Sequence, residues 1–158
     1  MGDFAWSFLK RIREHEVDRR LVADFCFSRE LIDQLDLSAP DDHVPEGLLI
    51  ECCAQAGGLA MMLEKEEISH LPILAKVNLC DFHQPIPLGQ EAVVEANLEL
   101  LTENNAAEFR AAIHLPGEMA PRVECRVLLG LAALNELPDG GAGILTHFDG
   151  LKLSFIDA

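Results

Sequence analysis

Positive charge is scarce in this chain. Twelve Lys and Arg face 27 Asp and Glu over 158 residues, a formal net charge of −15 at pH 7. So acidic a molecule repels phosphate backbones, which excludes nucleic acid as a partner class. Metal-ligand spacing is missing too: the cysteines at 26, 52, 53, 80 and 125 form no close pair of the ligand type, and His15, His70 and His114 stand apart from them and from each other. No glycine-rich loop of the phosphate-cradling kind occurs, so neither a metal nor a cofactor is expected. The most apolar segment, 47–63, is short of a membrane span and is interrupted by Glu51 and Gln55. Asp3, Lys10, Arg11 and Arg13 break up the N-terminal stretch, unlike a signal peptide. The expectation is a soluble cytoplasmic protein, its five cysteines serving as small core residues in a reducing compartment.

What is present reads as one domain with room for a core. Residues 18–28 alternate, with Leu21, Ala23, Phe25 and Phe27 on one side, as a half-buried strand does. The preceding stretch, 4–14, carries Phe4, Trp6, Phe8 and Ile12 and fits a strand or a short helix. Charges with Pro40 and Pro45 make 29–46 a loop, with a helical turn at Glu30 to Leu35. After Pro72, residues 73–82 set Ile73, Ala75, Val77 and Leu79 on one side. Pro85, Pro87 and Gly89 then break the chain. Three period-two strands follow: 91–101 with Val94, Ala96, Leu98 and Leu100, 106–115 with Phe109, Ala111, Ile113 and Leu115, and 122–134 with Val123, Cys125, Val127, Leu129 and Leu131. Asn104-Asn105 and Pro116-Gly117 supply the reversals. Residues 1–134 form the domain, and 135–158, opened by the glycine-rich break at 139–143, is an extension that adds a strand or packs on a partner.

Between the strands lies a helix over Gly47 to Leu63, rich in Ala, Leu and Met, with Pro45 just ahead of it, where a missing N–H does little harm. Apolar residues surround it on nearly every side, so it needs cover from more than one direction. Glu51 and Gln55 are four apart and share a face. An ionised carboxylate there must be paired, hydrogen-bonded or held for use, although the helix dipole also favours Glu46 and Glu51 near this end. Gly57-Gly58 inside a helix costs about 1 kcal/mol per glycine relative to Ala and points to close approach by a strand, a partner helix or an acyl chain. One helix and a meander of strands make an α+β fold, a curved antiparallel sheet wrapping the helix and a second subunit completing the cover.

Two segments carry a family likeness. Pro45 through Gly58, and Phe82-His83-Gln84-Pro85-Ile86-Pro87-Leu88-Gly89, together with the strands that frame them, resemble the hot-dog fold and, within it, the beta-hydroxyacyl-thioester dehydratases of fatty acid synthesis. The likeness covers about 4–134. It implies a dimer with sites at the subunit interface, an acyl-ACP or acyl-CoA substrate, and no cofactor. In that family a loop histidine takes the proton alpha to the thioester carbonyl, and the helix carboxylate of the other subunit helps the hydroxyl leave. A backbone N–H near the helix start polarises the carbonyl. Carried onto this chain, the carboxylate is Glu51 and the amide one turn on is Gln55. Pro45, Gly47, Gly58, Phe82 and His83 fall in the substrate-binding segments.

Departures from the pattern are as informative. The histidine position is Leu37, leaving His43 as the nearby loop base. Glu46 replaces the glycine that follows the loop proline, with Gly47 one place later. His147, in His-Phe-Asp-Gly, falls after the core strands and reads as coincidence. Acidic carrier proteins are received on basic residues in the resembling enzymes, whereas Asp81 and Gln84 occupy that region here. Arg11, Arg13, Arg19, Arg20 and Arg122 therefore form a local patch, or the ligand arrives without a typical acidic carrier. Three functions remain open: an acyl-thioester dehydratase-type protein, a non-catalytic partner subunit of an active homologue in a homodimer or heterodimer, and a thioesterase in which Glu51 activates water.

Overall fold

The period-two segments become strands and the apolar run becomes a helix. The structure, a computed structural model, describes residues 8–63, 69–104 and 106–141. In chain order come β1 (Leu9–Glu16), β2 (Arg20–Phe25), α1 (Arg29–Gln34), α2 (Glu46–Met62), β3 (His70–Phe82), β4 (Ala92–Leu101), β5 (Ala107–His114) and β6 (Val123–Ala133). Of the stretch 4–14, open between strand and helix, the described part belongs to strand β1 from Leu9 on. Short 3-10 turns at Leu134–Glu136 and Pro138–Gly141 close the described part; the remainder of the C-terminal extension lies outside it, as do residues 1–7. All strands pair antiparallel in one six-stranded sheet of order β1-β2-β4-β5-β6-β3. One long helix wrapped by such a sheet is the hot-dog fold.

Alternation decides which side chains meet α2. Leu21, Ala23 and Phe25 of β2, Val94 and Ala96 of β4, Phe109, Ala111 and Ile113 of β5, and Val123, Cys125, Val127 and Leu129 of β6 are all buried in one cluster with the helix. On α2 every residue from Cys52 to Met62 except Gln55 is buried. Fully burying a side chain such as Phe109 contributes about 2–3 kcal/mol. Gly57 sets how closely the layers approach: a Cβ there would lie 3.0 Å from the Phe109 ring and 3.2 Å from Leu129 Cδ1. At Gly58 the approach is looser, and a Cβ would make an ordinary contact with the Pro72 ring at 3.4 Å. The approaching groups are strand side chains.

Strand β3 departs from its expected single apolar face. Its pairing with β6 slips between Leu74 and Lys76 and again between Val77 and Leu79, so Ala75 and Asn78 are the extra residues of two bulges. Each bulge reverses the alternation. Pro72, Leu74, Val77, Cys80 and Phe82 end up opposite the core-facing residues of β6, while Ile73 and Leu79 turn to the other face. A similar slip at Glu99 turns Leu100 outward, where it is exposed. β3 is also a sheet edge, and Ile73 (45 %), Val77 (37 %) and Leu79 (52 %) stay exposed on it.

The cysteines correct a second expectation. Cys80 and Cys125 are directly opposed across β3 and β6 and are disulfide-bonded, whereas Cys26, Cys52 and Cys53 are free. A sequence separation of 45 conceals a contact that only strand register creates.

On the outer face the charges pair among themselves. Asp24, nearly buried, accepts from Arg11 Nε at 2.9 Å and has Arg13 Nε 2.5 Å from its other oxygen. Asn97 donates to Glu95 at 2.9 Å and Arg20 to the same oxygen at 3.2 Å, which together hold the Glu95 carboxyl below its ordinary value against the opposing effect of burial.

Two measurements follow. Gly57→Ala gains helix propensity but drives a methyl into Phe109, so urea unfolding should show a loss of about 1–3 kcal/mol, against no loss for Gly47→Ala, where nothing lies within 4 Å. An unchanged midpoint for Gly57→Ala would contradict the tight approach. For Glu95, a folded pKa below the unfolded value means stability present above about pH 4.3 and lost as pH falls through the folded value. The stability gap between the parent and Glu95→Gln should therefore close in acid, and a gap constant from neutral pH down to about pH 3 would rule the coupling out.

Candidate functional site

Helix α2 begins at Glu46 after Pro45, whose φ of −55° suits the first turn and whose side chain offers no cap. The opening N–H groups of a helix have no intrahelical acceptor, and here they belong to an exposed turn, Glu46-Gly47. The loop before the helix is pinned to the loop after β3. Val44 N–H donates to the Ile86 carbonyl and Leu88 N–H to the Asp42 carbonyl, both at 2.8 Å, and His43 bridges to Pro87 between them. Arg29 donates to the Ala39 carbonyl at 3.0 Å and pairs with Asp42. The two segments that carry the family likeness are thus physically joined through the residues that lead into Pro45.

One stripe of α2 escapes the sheet. Leu48, Glu51 and Gln55, at helical spacing, are only partly buried, as is Ile50, whereas Leu49 and Cys52 to Ala54 are buried. Glu51 is half-buried rather than sealed in the core. Gln55 Nε2 donates to Glu51 Oε1 at 3.1 Å, and the Phe8 N–H donates to Gln55 Oε1 at 2.9 Å. Because the Phe8 N–H occupies the amide's oxygen, its nitrogen must face Glu51, which orients the carboxylate. The Phe8 ring packs on Phe27 with centroids 5.0 Å apart, fixing this end of the N-terminal strand. Sequence spacing brings Glu51 and Gln55 together; the Phe8 N–H carried no signal, since any residue could supply it.

The neighbouring thiols are not nucleophiles. Burial, aided by Cys53 and Glu51, pushes Cys52 well up, and burial alone pushes Cys53 up to about 12. Both are neutral at physiological pH. Among the described residues no cluster of His, Cys, Asp and Glu can hold a metal ion.

The histidines do not gather around Glu51. His43 is exposed on the pinned loop. His83 Nε2 lies 2.8 Å from Glu124 Oε2 on β6, and both side chains are half-exposed. Phe82, one residue earlier, packs on the core. Leu37, at the expected histidine position, is 40 % exposed, with its N–H donating to Ile32 after α1. His147 lies outside the described residues.

The arginines form no open patch. Arg11 and Arg13 pair with Asp24, Arg19 with Glu16, Arg20 with Glu14 and Glu95, and Arg122 with Glu118. Arg122 also donates to the Pro85 carbonyl at 2.7 Å, so a 240 Å³ hollow lined by Gln84, Glu118, Met119 and Arg122 offers no free cation.

No family model matches the chain, and no curated protein does. Solved structures do. The dehydratase heterocomplex ApeI:P from Xenorhabdus doucetiae is 20 % identical over 85 % of this chain and 89 % of that one, with a TM-score of 0.67. The protein smu.793 from Streptococcus mutans, bound to acetyl CoA, is 6 % identical over 78 % and 88 %, TM-score 0.60. The thioesterase HI1161 from Haemophilus influenzae is 16 % identical over 76 % of each chain, TM-score 0.57. At these identities the likeness is one of fold: the chain is a hot-dog protein. No helix among the described residues is long and apolar enough to cross a membrane.

The bridge through Gln55 can be tested without a substrate. Gln55→Ala leaves the Phe8 N–H unpaired and should cost about 1–2 kcal/mol at any pH. Gln55→Glu keeps an acceptor for Phe8 but sets a second carboxylate against Glu51, raising both folded pKa values above the unfolded ones. Its penalty should appear as pH rises through about 4–5 and vanish in acid. Matching pH profiles for the two variants would show that Gln55 does not address Glu51.

Proposed function

We propose that this chain is one subunit of a hot-dog dimer that binds an acyl thioester in the manner of the 3-hydroxyacyl-thioester dehydratases, supplying the carboxylate Glu51 while a homologous partner supplies the histidine. The observation that carries this is the half-open Glu51, oriented by Gln55 and hydrogen-bonded to no histidine among the described residues. In the reaction a base removes the proton alpha to the carbonyl, and a protonated Glu51 gives its proton to the departing 3-hydroxyl, so water and an enoyl thioester leave. Backbone N–H groups at the Glu46-Gly47 turn are suited to polarise the thioester carbonyl. His43 is the alternative base from the loop that leads to the helix.

Exposed apolar side chains on the edge strand β3 support the second subunit. β3 is thirteen residues long, and Lys76 is its one full charge before Asp81. Pro72, Lys76 and the bulges at Ala75 and Asn78 interrupt this edge, which still exposes Ile73, Val77 and Leu79. Likeness to a dehydratase heterocomplex favours a homologous partner over a second copy, which would also lack a histidine at position 37. Paired arginines argue against an acidic carrier docking on this chain by itself.

The test is an assay of 3-hydroxyacyl and saturated acyl thioesters with the chain alone and with a hot-dog subunit that carries the loop histidine, each beside Glu51→Gln. Dehydration should need both subunits and fall at least about 100-fold in Glu51→Gln, in the range usual for an acid–base group. Turnover indifferent to Glu51→Gln would remove this residue from the mechanism. Hydrolysis of the saturated thioester by the chain alone, lost in Glu51→Gln, would turn the assignment to a thioesterase. Leu79→Lys should weaken association seen by sedimentation and leave the monomer folded.

A further inference from the structure

Two of the five cysteines stand opposite each other across a strand ladder. Cys80 on β3 and Cys125 on β6 are register partners, and their sulfurs are bonded. Cys125 is 1 % exposed and faces the core, while Cys80 is only partly buried on the edge strand. The remaining thiols are poor competitors: Cys52 and Cys53 are buried and held neutral, and Cys26 lies apart from the pair at the end of β2.

Among the described residues β3 has a strand on one side only, so its hold there is the ladder to β6 and its contact with α2. That ladder is interrupted at Ala75 and Asn78, the second interruption falling two residues before Cys80. Past the cysteine the chain runs through Phe82 and His83 into the Ile86–Leu88 loop, which pins the lead-in to α2. A covalent link at Cys80 therefore ties down the part of the edge that lies between a weak point and the candidate site.

We propose that Cys80 and Cys125 form a reversible dithiol–disulfide couple that sets the rigidity of the β3 edge, exchanging with a low-molecular-weight disulfide of the glutathione class. Oxidation begins at the more accessible sulfur. The Cys80 thiolate attacks the glutathione disulfide and one glutathione thiolate leaves. Cys125, deprotonated, then attacks the Cys80 sulfur of the mixed disulfide and the second glutathione leaves. Two electrons pass from the cysteine pair to the glutathione disulfide and two protons are released to the leaving thiolates. Reduction reverses both steps. The couple does not rest on the dimer proposed above.

The full chain, equilibrated in glutathione buffers of stepped redox ratio, is quenched with an alkylating agent, and the modified thiols are counted by mass spectrometry after unfolding. Three of the five cysteines should be alkylated at the oxidising end, with a linked Cys80–Cys125 peptide, and all five at the reducing end, the change being the same from either direction. Native-state hydrogen exchange over 71–82 should quicken on the order of tenfold or more on reduction and remain quick in Cys80→Ser in every buffer. Five alkylated cysteines throughout would overturn the proposal, as would a bond that excess glutathione leaves intact or exchange in β3 that ignores the redox ratio. Loss of thioester turnover in Glu51→Gln moves none of these readouts, so this inference and the functional assignment fail separately.

Discussion

A helix buried on almost every side can exist in a single domain only if the sheet bends around it, and the contact between Gly57 and the Phe109 ring sets how closely the two layers meet. With no Cβ at 57 the ring of Phe109 rests on the helix backbone, and Phe109 and Leu129 fill the space a side chain would claim. The cost in helix propensity is about 1 kcal/mol, and the return is a continuous core from β2 to β6. The remaining geometry follows from that approach. The sheet covers the C-terminal two-thirds of α2 and leaves the stripe of Leu48, Glu51 and Gln55 partly open, which is why the one carboxylate of the helix interior is accessible.

The charge distribution separates a surface from a site. The chain is strongly acidic overall, yet Arg11, Arg13, Arg19, Arg20 and Arg122 are committed to its own carboxylates. Exposed pairs of this kind contribute little stability individually, but they remove free cations. A net charge of −15 opposes an anionic carrier at long range. The apolar strip along β3 is its contrast, and a sheet edge seeks backbone partners as well as side-chain cover.

Much of the architecture was legible because period two and period 3.6 are local properties. The helix, the turn at Glu30 to Leu35, and the strands from 18–28 onward appear within a few residues of where alternation puts them, and Pro116-Gly117 reverses the chain with Gly117 at φ 83°. The misplaced face of β3 has a definite reason. A bulge is a mismatch between two strands, and no property of Ala75 or Asn78 alone announces that β6 has one residue fewer there. The candidate site was legible to the same depth. Glu51 and Gln55 share a face by helical arithmetic, whereas Phe8 reaches them through its backbone from 47 residues away.

The sequence by itself determined the class of fold, the carboxylate–amide pair on the helix, the absence of a histidine at Leu37 and the acidic balance, since each depends on residue identity and near-neighbour spacing. Tertiary structure alone decided that Cys80 meets Cys125, that Gln55 is turned toward Glu51 by the Phe8 N–H, that the arginines are paired, and that β3 is an exposed edge. Those outcomes depend on register and sheet order, which set distances between residues far apart in the chain.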